Sequence, residues 1–169
     1  MKYGPLWQDI SISAKNFLEI GCSFELTSRQ KYIRFVGIKR LALAKFVVKK
    51  YAKTYPKNEL VYVFAIAIAL HEEQRYPDYT LVSQAVECLK HSYNKRIVAF
   101  GNFILRKIFA DTNLFQYKFN WEQIRWNAPS WWINHLKKQV DDSYLQSVLM
   151  ASLSQHPPLN VRLNNPQYI

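Results

Sequence analysis

The chain has 169 residues, of which 49% are hydrophobic and 15% aromatic, so its composition excludes a largely disordered protein. Its formal net charge of +11 indicates a polyanionic partner, either RNA, DNA or an anionic membrane surface. The longest apolar run, Leu60–Leu70, is too short to cross a bilayer, and we therefore predict no membrane-spanning segment.

The cysteines and the N-terminus indicate where the protein acts. Cys22 and Cys88 lie far apart and lack the paired spacing of a metal site or a disulfide framework. The first residues, Met1–Pro5, are interrupted by Gly and Pro and lead into no long apolar run, which argues against a signal peptide. Both features predict a cytoplasmic protein.

Glycine is scarce and apolar residues recur every three or four positions, so the first part of the chain is predicted to be helical. Leu60–Leu70 is apolar on every face, which is typical of the central helix of a bundle. We expect five helices, over approximately Trp7–Leu18, Arg29–Tyr51, Leu60–Leu70, Thr80–His91 and Lys95–Ala110. With short connections they predict an all-α fold built as a compact bundle.

The composition changes after Asp111. Residues 113–127 have no clean period and resemble a linker, whereas Pro129 suits the first turn of a helix that continues to Leu136. A further helix is predicted over Tyr144–Leu153. The alternation in Leu159–Leu163 predicts the start of a β-strand, which requires partner strands to be stable.

Two adjacent tryptophans, Trp131 and Trp132, stand at the start of the first tail helix. Neighbouring residues on a helix point in different directions, so we expect one ring to pack against the bundle and the other to be exposed. A platform on which nucleic-acid bases stack is the functional alternative.

The distribution of charge carries the strongest functional signal. Ten Lys or Arg residues and no Asp or Glu occur in Arg29–Lys57, and five more cations occur in the acid-free stretch Lys90–Ala110. Bound phosphates relieve the repulsion between such cations and release counterions. The alternative is a solvated basic face that only keeps the protein soluble. The residues we expect to contact phosphates are Arg34, Lys39, Arg40, Lys45, Lys49, Arg96, Arg106 and Lys107.

Aromatic residues near these cations are candidates for base stacking. Tyr32, Phe35 and Tyr93 lie in or beside the basic stretches, and exposed aromatic rings stack on unpaired bases. Arg106 has a second interpretation, because an Arg at a helix end also ties helices together through carbonyls or a carboxylate.

Searches for a catalytic or metal-binding motif find little. His71-Glu72-Glu73 begins like the helix of a zinc protease but has no second His at the required spacing. No glycine-rich phosphate loop or nucleophile elbow is present in the sequence. Cys22 and Cys88 stand in apolar contexts and are interpreted as core residues. Asp141 and Asp142 are interpreted as a helix N-cap pair.

Three segments together resemble a known family. The tail contains Asn127-Ala128-Pro129-Ser130-Trp131-Trp132 and, later, Pro157-Pro158-Leu159-Asn160-Val161-Arg162-Leu163-Asn164. The last bundle helix contains Gly101-Asn102-Phe103-Ile104-Leu105-Arg106. In their order along the chain, these three segments resemble the N-terminal, NusB-like part of a family of bacterial methyltransferases. Those enzymes make 5-methylcytosine in small-subunit ribosomal RNA (the Sun/Fmu/RsmB type).

The resemblance implies a domain organisation and a function. Residues 1–112 would form a NusB-like helical RNA-binding domain. Residues 113–169 would hold a linker and the start of the domain leading to a methyltransferase core, with that core absent from this sequence. The partners implied are ribosomal RNA and the core domain in cis. S-adenosylmethionine is implied as the methyl donor of the whole enzyme, with no cofactor and no catalytic residue expected in this chain.

Other interpretations stay open from the sequence. One is a stand-alone NusB-like factor that binds RNA in transcription antitermination, and another is a protein–protein docking module with a solvated basic face. The family usually has an Arg-rich N-terminus, which this sequence lacks, so RNA contact is expected to fall on Arg29–Lys57 instead. The oligomeric state cannot be read from the sequence.

Overall fold

The computed structural model describes residues 4–17, 25–52, 56–111 and 122–154, and every regular element in these ranges is a helix. The predicted all-α fold is therefore confirmed for this part of the chain. The predicted strand Leu159–Leu163 lies outside it. The helices are α1 Leu6–Asn16, α2 Ser28–Ile38, α3 Leu41–Tyr51, α4 Asn58–Glu72, α5 Asp78–Ser92, α6 Lys95–Ala110, α7 Glu122–Trp126, α8 Ser130–Gln139 and α9 Asp142–Ser154.

Helix α4 is the centre of the bundle. Its side chains are buried from Leu60 to Leu70 with the single exception of Tyr62, which is half-buried. Helices α1, α2, α3, α5 and α6 all pack against it. The uniform apolar character of this segment therefore has the meaning predicted from the sequence, because a helix without a polar face is stable only when enclosed on all sides.

The segment predicted as one helix, Arg29–Tyr51, is two helices, and that prediction was wrong. Helix α2 begins at a capping box in which Thr27 and Gln30 bond each other's backbone N–H groups. It ends at Ile38, and a turn through Lys39 and Arg40 leads to α3. The sequence gives no breaker at this point, since neither Gly nor Pro stands in the turn.

The break between α2 and α3 is satisfied by a side chain from the tail. The amide of Asn127 donates to the carbonyl oxygen of Ile38 at 2.8 Å and accepts from the backbone N–H of Ala42 at 2.9 Å. Both partners are backbone groups that a continuous helix would have paired internally. Asn127 itself has a φ of 47°, a left-handed conformation that Asn adopts more readily than most residues. One amide thus joins α2, α3 and the start of the tail.

A buried polar pair fixes α1 on α2. The side-chain amide of Gln30 donates to a carboxylate oxygen of Asp9 at 2.9 Å, and Arg29 lies 3.2 Å from the other oxygen. Gln84 of α5 accepts from the backbone N–H of Trp7 at 3.1 Å, which ties the first turn of α1 to α5. Burial of the Asp9 carboxylate is tolerated because one oxygen accepts a hydrogen bond from Gln30 and the other faces the positive charge of Arg29.

The tail helices form a second, smaller apolar cluster. Its buried members are Trp126, Ile133, Leu145 and Leu149, and Trp132 packs against them. Trp131 is 71% exposed, so the expectation that the adjacent tryptophans point in different directions is confirmed. The expectation that one of them packs against the bundle is wrong, because Trp132 packs against residues of the tail. Asp141 caps α9 by accepting from the backbone N–H of Tyr144 at 2.9 Å.

The linker prediction for residues 113–127 needs a correction at its end. Residues 122–126 form the short helix α7, in which Ile124 and Trp126 are buried, and α7 contacts both α3 and α8. The tail is thereby in contact with the bundle. The remaining linker residues, 112–121, lie outside the described part of the chain, as does the predicted boundary at residue 112.

Asn127→Ala is expected to lower the free energy of unfolding by about 1–3 kcal/mol, because it leaves the Ile38 carbonyl and the Ala42 N–H without their partner. Urea unfolding followed by circular dichroism measures this change. Asn134→Ala on the exposed face of α8 is the control and should change stability by less than about 0.5 kcal/mol. Equal unfolding midpoints for the two variants would show that the two hydrogen bonds of Asn127 contribute nothing to stability.

Gly101→Ala is expected to destabilise the contact between α5 and α6. A Cβ atom built on Gly101 would lie 2.3 Å from Leu89 Cδ1, and Leu89 is itself fully buried. Overpacking of this kind costs about 1–3 kcal/mol, whereas the same substitution on an exposed helix surface gains up to about 1 kcal/mol. A raised thermal midpoint for Gly101→Ala would show that Leu89 moves aside freely.

Candidate nucleic-acid interface

The eight cations predicted to contact phosphate fall into three places. Lys45 and Lys49 lie on α3 and line a cavity next to the tail. Arg96, Arg106 and Lys107 are exposed on α6. Arg34, Lys39 and Arg40 lie on the second half of α2 and in the turn that follows it.

The cavity beside the tail has a volume of about 570 Å³ and is bounded by α3 on one side and by α7 and the start of α8 on the other. Lys45 and Lys49 stand one turn apart on α3, and neither forms an ion pair with another described residue. Phe46 and Gln123 line the same cavity. We call it the α3–tail cavity. It combines two cations, an aromatic ring and an amide around a space large enough for a nucleotide-sized group.

The outward surface of α6 is the second basic region, and we call it the α6 outer face. It consists of Arg96, Phe103, Arg106 and Lys107, all of which are exposed. The Lys107 ammonium lies 5.9 Å from the centre of the Phe103 ring, and the Arg106 guanidinium donates to the Asn102 side chain at 3.2 Å. Since no carboxylate pairs with Arg96 or Lys107 in the described residues, this surface keeps its positive charge.

The third group is largely engaged within the protein. The Arg40 guanidinium pairs with the Glu72 carboxylate at the end of α4. The Lys39 ammonium lies 4.4 Å from the centre of the Phe35 ring, and partial burial, followed by the charge of Arg40, lowers the pKa of Lys39. Arg34 is half-buried, and its Nε has no hydrogen-bond partner among the described residues. These cations are less available to a ligand than those of α3 and α6.

A stretch that is acid-free in sequence is not acid-free in space. Arg29 pairs with Asp9 of α1 at 3.2 Å, and Lys50 lies 3.8 Å from Asp111, just after α6. Together with the Arg40 pair, these contacts bring acids to three of the ten cations of Arg29–Lys57. The unpaired positive charge is therefore concentrated on fewer residues than the sequence indicates.

Two of the three aromatic residues predicted to stack on bases are occupied. The Tyr32 hydroxyl donates to Glu73, and Arg75 covers the ring at 4.4 Å. Burial, reinforced by the bond to Glu73, raises the pKa of Tyr32 to about 12. The Tyr93 hydroxyl donates to Glu59 at 3.0 Å, and burial raises its pKa as well.

Phe103 is the residue that the sequence analysis missed. The Phe103 side chain is 48% exposed and lies on the α6 outer face between cations. The signal was present in the sequence, because the apolar residues Ile97, Ile104 and Ile108 recur at helical spacing and place residue 103 on the opposite side.

The described residues considered for catalysis are either buried or in contact with other side chains of the protein. Cys88 is buried, and burial raises the pKa of its thiol to about 11, which suppresses the reactive thiolate. Cys22 lies outside the described residues. His71 contacts the Asp78 carboxylate at 2.6 Å and stacks on Phe109 at 4.7 Å. In the described ranges no three His, Cys, Asp or Glu side chains are grouped to hold a metal ion.

Comparison of the chain with models of protein families, with curated proteins and with solved structures finds no match. The likeness to the ribosomal RNA methyltransferases therefore rests on the motifs described above. Among the described helices, none has the length and apolar character needed to span a bilayer.

Arg40→Ala is expected to act on stability, because it removes the partner of a Glu72 side chain that is only 15% exposed. We expect a loss of about 1–2 kcal/mol in the free energy of unfolding. Lys45→Ala, an exposed lysine on α3, should stay within about 0.5 kcal/mol of the wild type. Urea unfolding of both variants tests the distinction, and an unchanged Arg40→Ala midpoint would return Arg40 to the set of available cations.

Proposed function

We propose that this chain is the RNA-binding region of a methyltransferase that makes 5-methylcytosine in small-subunit ribosomal RNA, and that it positions the RNA for the reaction. The proposal rests on the motif resemblance and on two sets of exposed cations, Lys45 and Lys49 on α3 and Arg96, Arg106 and Lys107 on α6. A helical bundle of this charge binds phosphates by releasing counterions from them. Methyl transfer from S-adenosylmethionine is assigned to a core domain and to no residue of this chain.

The observation that carries the proposal is the composition of the α3–tail cavity. Its two lysines come from the acid-free stretch of the sequence, and Asn127, Ala128 and Pro129 come from the tail motif that resembles the methyltransferases. Two independent signals, separated by about eighty positions, thus meet in one cavity. A basic bundle without a use for RNA gives no reason for this coincidence.

A second candidate function is a docking module for another protein domain, and the tail surface favours it. Trp131 is 71% exposed and Tyr144 is 61% exposed on the tail helices. Large exposed aromatic side chains are enriched in protein interfaces. Under this interpretation the basic surface is only solvated. A stand-alone antitermination factor is a third interpretation, but such a factor gives the tail helices no role.

Lys45→Glu with Lys49→Glu tests the proposed function. We expect the double variant to bind a small-subunit ribosomal RNA hairpin at least about tenfold more weakly than the wild type at about 0.1 M salt. The slope of log affinity against log salt should fall by about 1–2, because each lost phosphate contact removes close to one released counterion. Fluorescence anisotropy across a salt series measures both quantities.

The control is Lys57→Glu with Lys138→Glu, which changes the net charge by the same amount at exposed positions outside the cavity. It should lose little affinity and keep most of the salt slope. Equal losses in the two double variants would mean that only overall charge matters. An absence of RNA binding by the wild-type chain at low salt would favour the docking module.

A further inference from the structure

The exposure of Phe103 needs an explanation beyond packing. Its helix buries Gly101, Ile104, Leu105 and Ile108 against the bundle, so the apolar face of α6 is complete without residue 103. Phe103 is 48% exposed and contributes less to the core than these four buried residues. Its ring is nevertheless held in place, because the ring of Tyr51 meets it edge-on with centroids 6.4 Å apart. A held aromatic ring that is about half exposed offers a surface on which a base can stack.

Cations surround this ring along α6. Arg106 and Lys107 follow it by three and four positions, which places them on neighbouring ridges of the same helix face. Arg96 precedes Phe103 by two turns, about 10 Å along the helix axis. A base that stacks on Phe103 therefore has cations within reach of the phosphates on both sides of its nucleotide. Charge of one sign around an aromatic ring matches a nucleic acid better than an apolar protein segment.

We propose that Phe103 is a stacking platform for an unpaired nucleotide of RNA, with Lys107, Arg106 and Arg96 contacting the flanking phosphates. This inference rests on the proposed function and adds the class of substrate to it. Duplex RNA hides the faces of its bases, so a stacking platform selects loops, bulges and single strands. The domain thereby distinguishes unpaired RNA from duplex RNA of the same charge.

Two other exposed aromatic side chains, Phe35 and Tyr144, fit this role less well. Phe35 is exposed too, but the Lys39 ammonium covers its ring at 4.4 Å, whereas Lys107 stands 5.9 Å from the Phe103 centroid. Tyr144 is exposed at the start of α9, where the neighbouring residues are the carboxylates Asp141 and Asp142. Phosphates are repelled there, so Tyr144 is the natural comparison for Phe103.

The test compares Phe103→Ala with Tyr144→Ala on two labelled RNAs, a hairpin with an unpaired loop and a fully paired duplex of equal phosphate count. We expect Phe103→Ala to weaken loop binding by about tenfold and to leave duplex binding unchanged. Tyr144→Ala should change neither affinity. Circular dichroism of both variants checks that the fold is kept. Equal loop affinities for Phe103→Ala and the wild type would overturn the proposal.

Phe103→Leu and a fluorescent base separate stacking from simple apolar contact. Leucine keeps an apolar surface but has no ring, so loop binding should stay weak. Quenching of 2-aminopurine in the loop should be seen with the wild type and lost with Leu. Full quenching and affinity in Phe103→Leu would show that an apolar contact is sufficient and would overturn the stacking platform.

The two proposals fail in different ways. If Phe103 has no role while the Lys45 and Lys49 reversals still abolish salt-dependent binding, the RNA-binding function stands and only the platform is wrong. If the wild-type chain binds neither RNA, both proposals are wrong.

Discussion

The enclosure of α4 is the constraint on which the rest of the structure depends. A helix with buried residues on every side must be surrounded, and five helices provide that surrounding. Each of them therefore turns one apolar face inward and leaves its polar face to solvent. On α3, Val47 and Val48 turn inward and are fully buried, whereas Lys45 and Lys49 point outward. The basic surface is thus a direct consequence of how the core is closed.

The fold then decides which cations stay available. Acidic residues from other parts of the bundle form ion pairs with Arg29, Arg40 and Lys50, so these three cations are partly neutralised within the protein. Lys45 and Lys49 of α3 and Arg96, Arg106 and Lys107 of α6 have no such carboxylate partner among the described residues. The Arg29–Asp9 and Arg40–Glu72 pairs are largely shielded from solvent and stabilise the bundle, whereas the more exposed Lys50–Asp111 pair contributes little stability.

How well each part of the fold could be predicted depended on how far apart in sequence the interacting residues lie. Helices α4, α5 and α6 were predicted closely, because their periods and the turn residues between them are local features of the sequence. The break at Lys39 and Arg40 was not predictable, because the side chain that satisfies it belongs to Asn127, more than eighty positions away. The short helix α7 was missed for a similar reason, since five residues carry too little period to be recognised.

The candidate site was partly predictable for the same physical reason. Charge clustering in the sequence located α3 and α6, but it could not separate Lys45 from Arg40, whose partner Glu72 stands thirty-two positions later. Aromatic candidates were chosen by their closeness to charge in the sequence, which favoured Tyr32. The property that distinguishes the candidates is the exposure of the ring. Glu73 and Arg75 contact Tyr32, whereas Phe103 is 48% exposed, and the sequence shows neither fact.

Asn127 connects stability with binding. The α3–tail cavity exists only while the tail is docked, because one wall comes from α3 and the other from α7 and the start of α8. A ligand that fills the cavity touches both walls, so it binds the docked arrangement more tightly than an undocked one. Linkage then requires that docking of the tail and occupancy of the cavity favour each other by the same free energy. Under the proposed function, the amide of Asn127, which completes the α2–α3 turn and lines the cavity, would therefore also affect affinity at Lys45 and Lys49, although it carries no charge.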